Sequence, residues 1–315
     1  MNSTAATDGA LLASVIVPVL DDNAGLRRLA NALRSQSLPA DQFEVIVVDN
    51  GPQDAASERL AAIDEALGGL TARTLHQPKR GSYAARNLAL AQARANVLAF
   101  TDADCLPEPG WLEAGLAHLR TEPSADAVAG GIELFAANDN HRSGAELYEL
   151  VHGFPQERYV TDLHFGATAN LFVRKATFDR VGTFDDALKS GGDVEWGRRL
   201  HAAGLRMHYE RSAVVRHPAR RSFRELRLKL ERVTEGIAEL RGRSELPARD
   251  WVRYVIKPLV PPVQTLRRAR RDSRLHSRAE FVRYAATLLA LRALTARARV
   301  AQSLRARQPE GARAR

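Results

Sequence analysis

The stretch Asn96-Val97-Leu98-Ala99-Phe100-Thr101-Asp102-Ala103-Asp104 places two carboxylates directly after an apolar segment. Residues 97–100 predict a buried strand. If the strand continued, Asp102 and Asp104 would point to the same face and repel each other. A divalent cation removes that repulsion, and proteins hold Mg²⁺ and Mn²⁺ with one or two carboxylates together with substrate phosphates. The stretch therefore indicates either a metal site for a phosphorylated ligand or a polar surface turn.

Strands and helices alternate around this stretch. The first third of the chain predicts strands at 14–19, 43–48, 71–75 and 97–100, with helices at 24–35, 55–67 and 83–95. Strands that are apolar nearly throughout, separated by amphipathic helices, are typical of a parallel sheet covered by helices. We therefore predict an α/β protein with a Rossmann-like, mainly parallel sheet flanked by helices.

Polar residues gather where three of these strands end. Asp21 and Asp22 follow the first strand, Asp49 follows the second, and Asp102 and Asp104 follow the fourth. Ligands of such sheets bind at the carboxyl ends of the strands. The arrangement therefore favours the metal site over the surface turn.

The second half of the chain is less regular and ends in a basic helical extension. Strands are predicted at 127–135, at 207–210, at 213–215 and near Asn170, and a helix at 194–203 ends before Gly204. Prolines 258, 261 and 262 interrupt the helical pattern that begins near Ser222. The apolar side of residues 279–304 carries Phe281, Leu288, Leu289, Leu291 and Leu294. Arginines on the other side make this stretch resemble a helix that lies in a membrane interface.

The charge of the chain is divided unevenly. The formal net charge is +9, but residues 1–215 hold 20 Lys and Arg against 28 Asp and Glu, a balance of −8. Residues 216–315 hold 26 against 9, a balance of +17. An acidic body with a basic tail predicts an anionic partner for the tail, which is a membrane surface, a nucleic acid or a phosphate-bearing acceptor.

Cysteine content and hydropathy indicate the compartment. The single cysteine, Cys105, excludes an internal disulfide framework and fits a reducing environment. Residues 1–13 lack the basic and apolar regions of a signal peptide, and the chain has no uncharged apolar run of about 18 residues. We expect a cytoplasmic protein bound peripherally at the inner face of the plasma membrane.

A set of motifs in a fixed order resembles those of family 2 glycosyltransferases, which have the GT-A fold. They are VIVP at 15–18, VVDN at 47–50, GSYAARN at 81–87, TDAD at 101–104, GATAN at 166–170, VGTFD at 181–185 and GGDVEW at 191–196. The resemblance covers about residues 13–218. It implies a GT-A catalytic domain at 13–218, preceded by a disordered segment at 1–12 and followed by an Arg-rich amphipathic helical extension at 219–315.

The resemblance also implies a donor site and a metal site. Pro18, Asp49, Arg86 and Asp102 would contact the donor nucleotide. Asp104 and Asp102 match the DXD motif and would hold Mn²⁺ or Mg²⁺, with His217 as a further metal ligand. From the residues alone, Asp49 is equally well explained as a helix cap or an Asx-turn, and His217 before a proline is more often structural.

On the acceptor side, the resemblance makes Asp193 the general base and places Asn170 and Trp196 near the acceptor. Without the family pattern, Asp193 would be interpreted as a helix N-cap, and Trp196 either packs in the core or lines the acceptor site. The pattern is also broken at two points. The loop at 19–23 lacks the aromatic-Asn pair that the family often has there, and Gly192 stands where many members have a glutamate before the aspartate.

The predicted function is metal-dependent, inverting transfer of a sugar from a nucleotide-diphosphate donor to a hydroxyl of a glycan or lipid-linked acceptor. The products would be polysaccharides, glycolipids or other cell-envelope glycans, and the basic tail would meet an anionic membrane. One alternative is a sugar nucleotidyltransferase, but the loop at 20–23 is acidic and lacks a glycine-rich, basic triphosphate cradle. The other is a nucleic-acid-binding protein, which the few aromatic residues of the tail disfavour, so no nucleic-acid partner is expected.

Overall fold

The computed structural model describes residues 11–241 and 257–306 of the chain. The strands are β1 Ala13–Val19, β2 Phe43–Asp49, β3 Ala72–His76, β4 Val97–Thr101, β5 Leu106–Pro107, β6 Ala127–Phe135, β7 Asn170–Arg174 and β8 Met207–Pro218. The helices are α1 Asn23–Arg34, α2 Ala56–Leu67, α3 Ser82–Gln92, α4 Trp111–Thr121, α5 Gly144–His152, α6 Gln156–Leu163, α7 Lys175–Val181, α8 Gly192–Ala202, α9 Phe223–Arg241, α10 Val263–Ala269 and α11 Arg278–Ala306. The predicted disorder before residue 11 lies outside the described residues, as do the tail aromatics Trp251 and Tyr254.

All eight strands belong to one mixed sheet with the order β3-β2-β1-β4-β7-β6-β8-β5. The run β3-β2-β1-β4 is parallel, which confirms the α/β prediction for the first part of the chain. Beyond β4 the sheet changes direction, because β7 is antiparallel to both β4 and β6, and β5 is antiparallel to β8. The two short strands predicted at 207–210 and 213–215 are a single strand, β8.

The parallel half brings three strand ends to one edge of the sheet. Val19 at the end of β1 lies opposite Asp49 in the register, and Asp49 lies opposite His76 at the end of β3. Helices cover both faces of the sheet at β2, so all residues of β2 are buried. Just beyond β1, the Oδ1 atom of Asp22 accepts a hydrogen bond of 2.8 Å from the N–H of Gly25 and caps α1.

The chain forms two compact units. The first comprises Met1–Glu133, Phe154–Leu188 and Gly192–His217 and contains the body of the sheet. The second comprises Leu134–Gly153, Lys189–Gly191 and Pro218–Arg315. Residues 134–153, which the sequence predicts as part of the catalytic domain, lie in the second compact unit. They belong to the helical unit because Leu147 of α5 is fully buried against apolar residues of α10 and α11.

The apolar side of α11 forms the core of the second unit. Tyr284, Leu288 and Leu291 are buried among residues of α5, α9 and α10, whereas Leu289 keeps 49% of its surface exposed. The sequence analysis assigned this side to a membrane interface, and the structure corrects that, since most of it is already covered by protein. Within the described ranges, no helix has the length and hydropathy needed to span a bilayer.

A buried ion cluster joins α5 to the start of α9. Glu149 accepts hydrogen bonds from Nη1 of Arg220 at 2.8 Å and from Nζ of Lys229 at 2.9 Å, and its side chain is 4% exposed. Burial opposes ionisation of this carboxyl, but the charges of Lys229 and Arg220 outweigh it and hold the pKa of Glu149 below its ordinary value. The cluster therefore stabilises the folded state only while Glu149 is ionised.

Glu149→Gln is expected to lower the free energy of unfolding by about 2 kcal/mol at neutral pH, since it weakens two hydrogen bonds to charged donors. The pKa of Glu149 is lower in the folded than in the unfolded chain, so its contribution is complete above the unfolded pKa of about 4.3 and disappears as the pH falls through the folded pKa. Urea titrations of both proteins from neutral pH to below pH ~4 measure this difference.

The matched control is Glu231→Gln, which removes the same charge from an exposed pair with Arg227 on α9. A loss of stability in Glu231→Gln as large as that in Glu149→Gln would contradict the role given to the buried cluster.

Candidate active site

An ion pair between a buried arginine and a half-buried aspartate lies directly after β4. Nη2 of Arg86, in α3, is 2.5 Å from Oδ1 of Asp102, and Arg86 is 3% exposed. A cation near the start of a helix opposes the helix dipole, and Asp102 provides the negative charge that offsets it. The Nε of Arg86 is buried and has no hydrogen-bond partner among the described residues. Arg86 thus fixes one carboxylate of the DXD motif while keeping a donor available.

The other carboxylate of the motif faces a histidine. Oδ1 of Asp104 is 3.7 Å from Nε2 of His217, which β8 brings to this edge from more than a hundred residues away. Ligand atoms of Asp104, Cys105 and His217 all lie within 4.8 Å of one another. Burial raises the pKa of Asp104, and the charge of Asp102 adds to the rise against the opposing effect of His217. A carboxylate, an imidazole and a second carboxylate nearby are donors that suit a divalent cation such as Mn²⁺.

Asp193 lies in the first turn of α8. The helix begins at Gly192, so Asp193 is inside it and is not the N-cap that the isolated sequence pattern suggested. Its Oδ1 accepts hydrogen bonds from the N–H of Val194 at 2.9 Å and from the hydroxyl of Tyr83 at 3.3 Å. Burial raises the pKa of Asp193, although the charge of Arg86 opposes the rise. A carboxylate with a raised pKa is a stronger base.

Tyr83 connects this carboxylate to the rest of the site, and the sequence analysis did not assign it a role. The centre of the Tyr83 ring lies 5.6 Å from the guanidinium carbon of Arg86. The hydroxyl of Tyr83 also accepts a hydrogen bond of 3.3 Å from the backbone N–H of Asp193. A Cβ on Gly192 would come within 2.7 Å of the Tyr83 ring. Tyr83 therefore occupies the space that a side chain at position 192 would need, which explains the glycine in that motif.

Asp49 is held by neighbours that the sequence analysis also missed. Its carboxylate accepts hydrogen bonds from Nε of Arg59 at 3.0 Å, from Nη2 of Arg59 at 2.9 Å and from the N–H of Gly51 at 3.2 Å. Nδ1 of His76 lies 2.9 Å from its Oδ2. Burial opposes its ionisation, but these bonds hold the pKa of Asp49 below its ordinary value. The bond from Gly51 is the predicted Asx-turn, so a ligand at this site would meet a carboxylate that already has several donors.

Asn170 lies opposite Thr101, next to the motif, and Trp196 lies in α8 with Asp193, but both side chains make their hydrogen bonds inside the core. Asn170 is fully buried, and its side-chain amide accepts from Trp111 and donates to the carbonyls of Gly131 and Ala213, each at 2.8 Å. Trp196 is also fully buried, and its indole N–H donates to the carbonyl of Gly182. The predicted acceptor contacts of Asn170 and Trp196 remain predictions, and the polar atoms of both side chains bond to groups of the core.

Two further positions complete the comparison with the sequence. Pro18 lies in β1 opposite Val48, one residue before the pair formed by Val19 and Asp49. A cavity of about 210 Å³ lies elsewhere, among α6, α8 and β8, and is lined by His164, His201 and their neighbours. None of the predicted site residues lines it.

Carboxylates gathered at the strand ends of this mixed sheet define a GT-A glycosyltransferase. The family model described as "Glycosyl transferase family 2" matches residues 14–182, and the chain belongs to that family. It is therefore a transferase enzyme that uses nucleotide sugars. Membership in the family argues against both alternative functions, the nucleotidyltransferase and the nucleic-acid-binding protein.

Characterised relatives cover the chain to different extents. The chain is 33% identical over 276 residues to glycosyltransferase AglE of Haloferax volcanii, which spans 86% of this chain and 89% of the relative. It is 32% identical over 221 residues to the pre-mycofactocin glycosyltransferase of Mycobacterium tuberculosis, which spans 67% of this chain and 44% of that enzyme.

Among solved structures, a mannosyltransferase of Pyrobaculum calidifontis in complex with GDP-Man and Mn²⁺ matches 94% of this chain and 88% of its own length. The TM-score is 0.62 and the identity is 18%, a likeness that shows the fold.

The contact between Tyr83 and Asp193 predicts a shifted pH profile. Tyr83→Phe removes a hydrogen bond that lowers the pKa of Asp193, so that pKa rises. If Asp193 must be ionised for the reaction, the acidic limb of the kcat/KM profile moves to higher pH. The pH profile of kcat/KM is measured for the wild-type protein, Tyr83→Phe and Tyr159→Phe. Tyr159→Phe is the control, because the charge of Asp193 acts through space on the pKa of Tyr159. An unshifted profile in Tyr83→Phe would contradict this role.

Proposed function

We propose that the protein is a metal-dependent, inverting glycosyltransferase that moves a sugar from a nucleotide-diphosphate donor to an acceptor hydroxyl. The observation that carries the proposal is a continuous chain of polar contacts. It runs from Asp193 through Tyr83 and Arg86 to Asp102, next to the pair formed by Asp104 and His217. A candidate base and a candidate metal site are thus joined by direct contacts in one unit of the chain.

Asp104 and His217 would hold the cation, with Asp102 as the neighbouring carboxylate. A bound Mn²⁺ or Mg²⁺ would neutralise the charge that develops on the departing diphosphate. Arg86 keeps Asp102 in place, so Asp104 is the carboxylate that we assign as the direct ligand. The Mn²⁺ in the P. calidifontis structure is consistent with this assignment.

Asp193 would accept the proton of the attacking hydroxyl. In the described part of the chain both donors to this carboxylate reach Oδ1, so Oδ2 is the oxygen that we assign to the acceptor. Proton transfer to a positioned carboxylate contributes about 10²–10⁴-fold to rate. Attack on the anomeric carbon from the side opposite the diphosphate inverts its configuration.

We place the nucleotide at the other end of the edge, beside Pro18 and Asp49. The donors on Asp49, from Arg59 and His76, hold its carboxylate in one orientation, which would fix the oxygen available to the base or ribose. The acceptor we propose is a glycan or lipid-linked hydroxyl in cell-envelope synthesis at the inner face of the plasma membrane. The basic charge of residues 216–315 supports the membrane part of this proposal.

The metal assignment is tested with Asp104→Ala. A ligand that binds the folded state raises the melting temperature, so thermal shifts with UDP-, GDP- and dTDP-sugars, with and without Mn²⁺, report binding directly. The wild-type protein is expected to show a Mn²⁺-dependent shift with one donor class. Asp104→Ala is expected to lose that shift and to lose transfer activity by at least about a hundredfold.

Glu108→Ala is the matched control, because it removes the same charge from a half-exposed pair with Arg216 close to the motif. Full metal-dependent binding by Asp104→Ala, or an equal loss in Glu108→Ala, would reject Asp104 as the ligand.

The base assignment is tested with Asp193→Asn, which keeps the shape of the side chain. Donor binding by thermal shift is expected to stay within about twofold of wild type, while kcat for transfer falls by about 10²–10⁴-fold. Glu195→Gln, in the same helical turn and paired with Arg199, controls for loss of charge. If Asp193→Asn loses donor binding instead of kcat, Asp193 is a binding residue and the assignment fails.

A further inference from the structure

The segment that leads into α10 in the second unit exposes a compact group of apolar side chains. Leu259 is 60% exposed, Val260 54% and Val263 48%, and Pro261 between them is also exposed. We call residues 257–263 the apolar loop. Leu259, Val260 and Val263 are among the large apolar side chains that the described residues expose, and they lie close together in the sequence.

Hydrogen bonds from α11 fix the backbone of the apolar loop. Nη2 of Arg292, in α11, donates to the carbonyl of Lys257 at 2.9 Å and to the carbonyl of Val260 at 2.7 Å. Ala269 at the end of α10 is buried in the core of the unit. Three prolines restrict φ along the loop. Leu259 and Val260 are therefore held outward by an ordered backbone.

Basic residues accompany these apolar side chains in the sequence. Residues 257–278 contain seven Lys and Arg and one acidic residue, Asp272. Asp272 is bound by Arg274 at 2.6 Å, so it does not offset the charge of the others. Among the described residues, the exposed cations of this stretch include Lys257, Arg267, Arg268, Arg270 and Arg271.

We propose that the apolar loop and the arginines of α10 and the residues just after it form a docking surface for an anionic lipid bilayer. Apolar side chains that enter the boundary between headgroups and acyl chains, beside cations that meet the phosphates, are the two components of interfacial binding. The surface replaces the apolar side of α11, which the core of the unit already occupies.

The same residues argue against two other occupants. A second copy would bring two strongly basic segments together, and like charges across an interface are unfavourable. Residues 257–278 contain no aromatic residue on which bases could stack. The bilayer is thus the occupant that matches both the charge and the apolar group.

The docking surface makes the membrane part of the proposed function more specific. The statement that docking brings the enzyme to a lipid-linked acceptor rests on that proposed function. Binding to lipid itself is independent of the transfer chemistry. The two can therefore fail separately, and each needs its own measurement.

The experiment is co-sedimentation of the full chain with vesicles of phosphatidylcholine and with vesicles that also contain phosphatidylglycerol. We expect binding to the anionic vesicles that weakens as salt is added. Leu259→Ser/Val260→Ser is expected to lower the partition coefficient at least about tenfold. Arg267→Gln/Arg268→Gln is expected to lower it by roughly fivefold for each charge.

Val282→Ser is the matched control, because Val282 is 63% exposed on α11 of the same unit. A second measurement avoids dependence on the folding of the double variants. Leu259→Trp adds a fluorophore at the loop, and its emission is expected to shift to shorter wavelength with anionic vesicles and to be quenched by brominated lipid.

Three results would overturn the proposal: no binding to anionic vesicles, the same loss in Val282→Ser as in the loop variant, or an unshifted Leu259→Trp emission. A dimer seen by sedimentation velocity and lost in Leu259→Ser/Val260→Ser would assign the surface to a second copy instead. Donor hydrolysis in solution, which the loop variants are expected to retain, separates failure of the docking surface from failure of the proposed transfer.

Discussion

The pairing of Arg86 with Asp102 is the interaction on which the arrangement of the site depends. It fixes the start of α3 against the loop after β4, and through Tyr83 it reaches the first turn of α8. One buried guanidinium thus balances a carboxylate of the proposed metal site and lies close enough to Asp193 to oppose its raised pKa. Removing water from such a group is costly unless its charge is matched, so the three elements are coupled.

The same edge of the sheet contains two carboxylates with opposite electrostatics. Asp49 is buried among several donors and its pKa is held low, whereas Asp193 is half-buried with fewer donors and desolvation raises its pKa. A carboxylate that stays ionised suits a fixed hydrogen-bond acceptor, and one with a raised pKa suits proton transfer. This difference supports the separate roles proposed for them, one at the nucleotide and one at the acceptor.

Much of the first unit was predictable from local pattern. The strands and helices of the parallel half follow from continuous apolar runs and helical spacing, and their ends agree within about three residues. The strand-end carboxylates followed from the rule that ligands bind there. The antiparallel half was not predictable in the same way, because β7 pairs with β4 and β6 across long stretches of sequence that carry no local signal of the partner. Asn170 shows the limit most clearly, since nothing in its motif reveals that its amide bonds to Trp111, Gly131 and Ala213 inside the core.

The sequence by itself determined the fold class, the family and the identity of the carboxylates, since these depend on apolar periodicity and on ordered motifs. Tertiary structure alone decided which groups surround each carboxylate: Tyr83 at Asp193, His76 and Arg59 at Asp49, and His217 at Asp104. It also decided that the apolar side of α11 faces α5 and α9 while the loop before α10 stays exposed. The physical reason is that charge balance and burial depend on distances between residues far apart in the chain, and the opening stretch at Asp102 and Asp104 gains its meaning from neighbours that it does not contain.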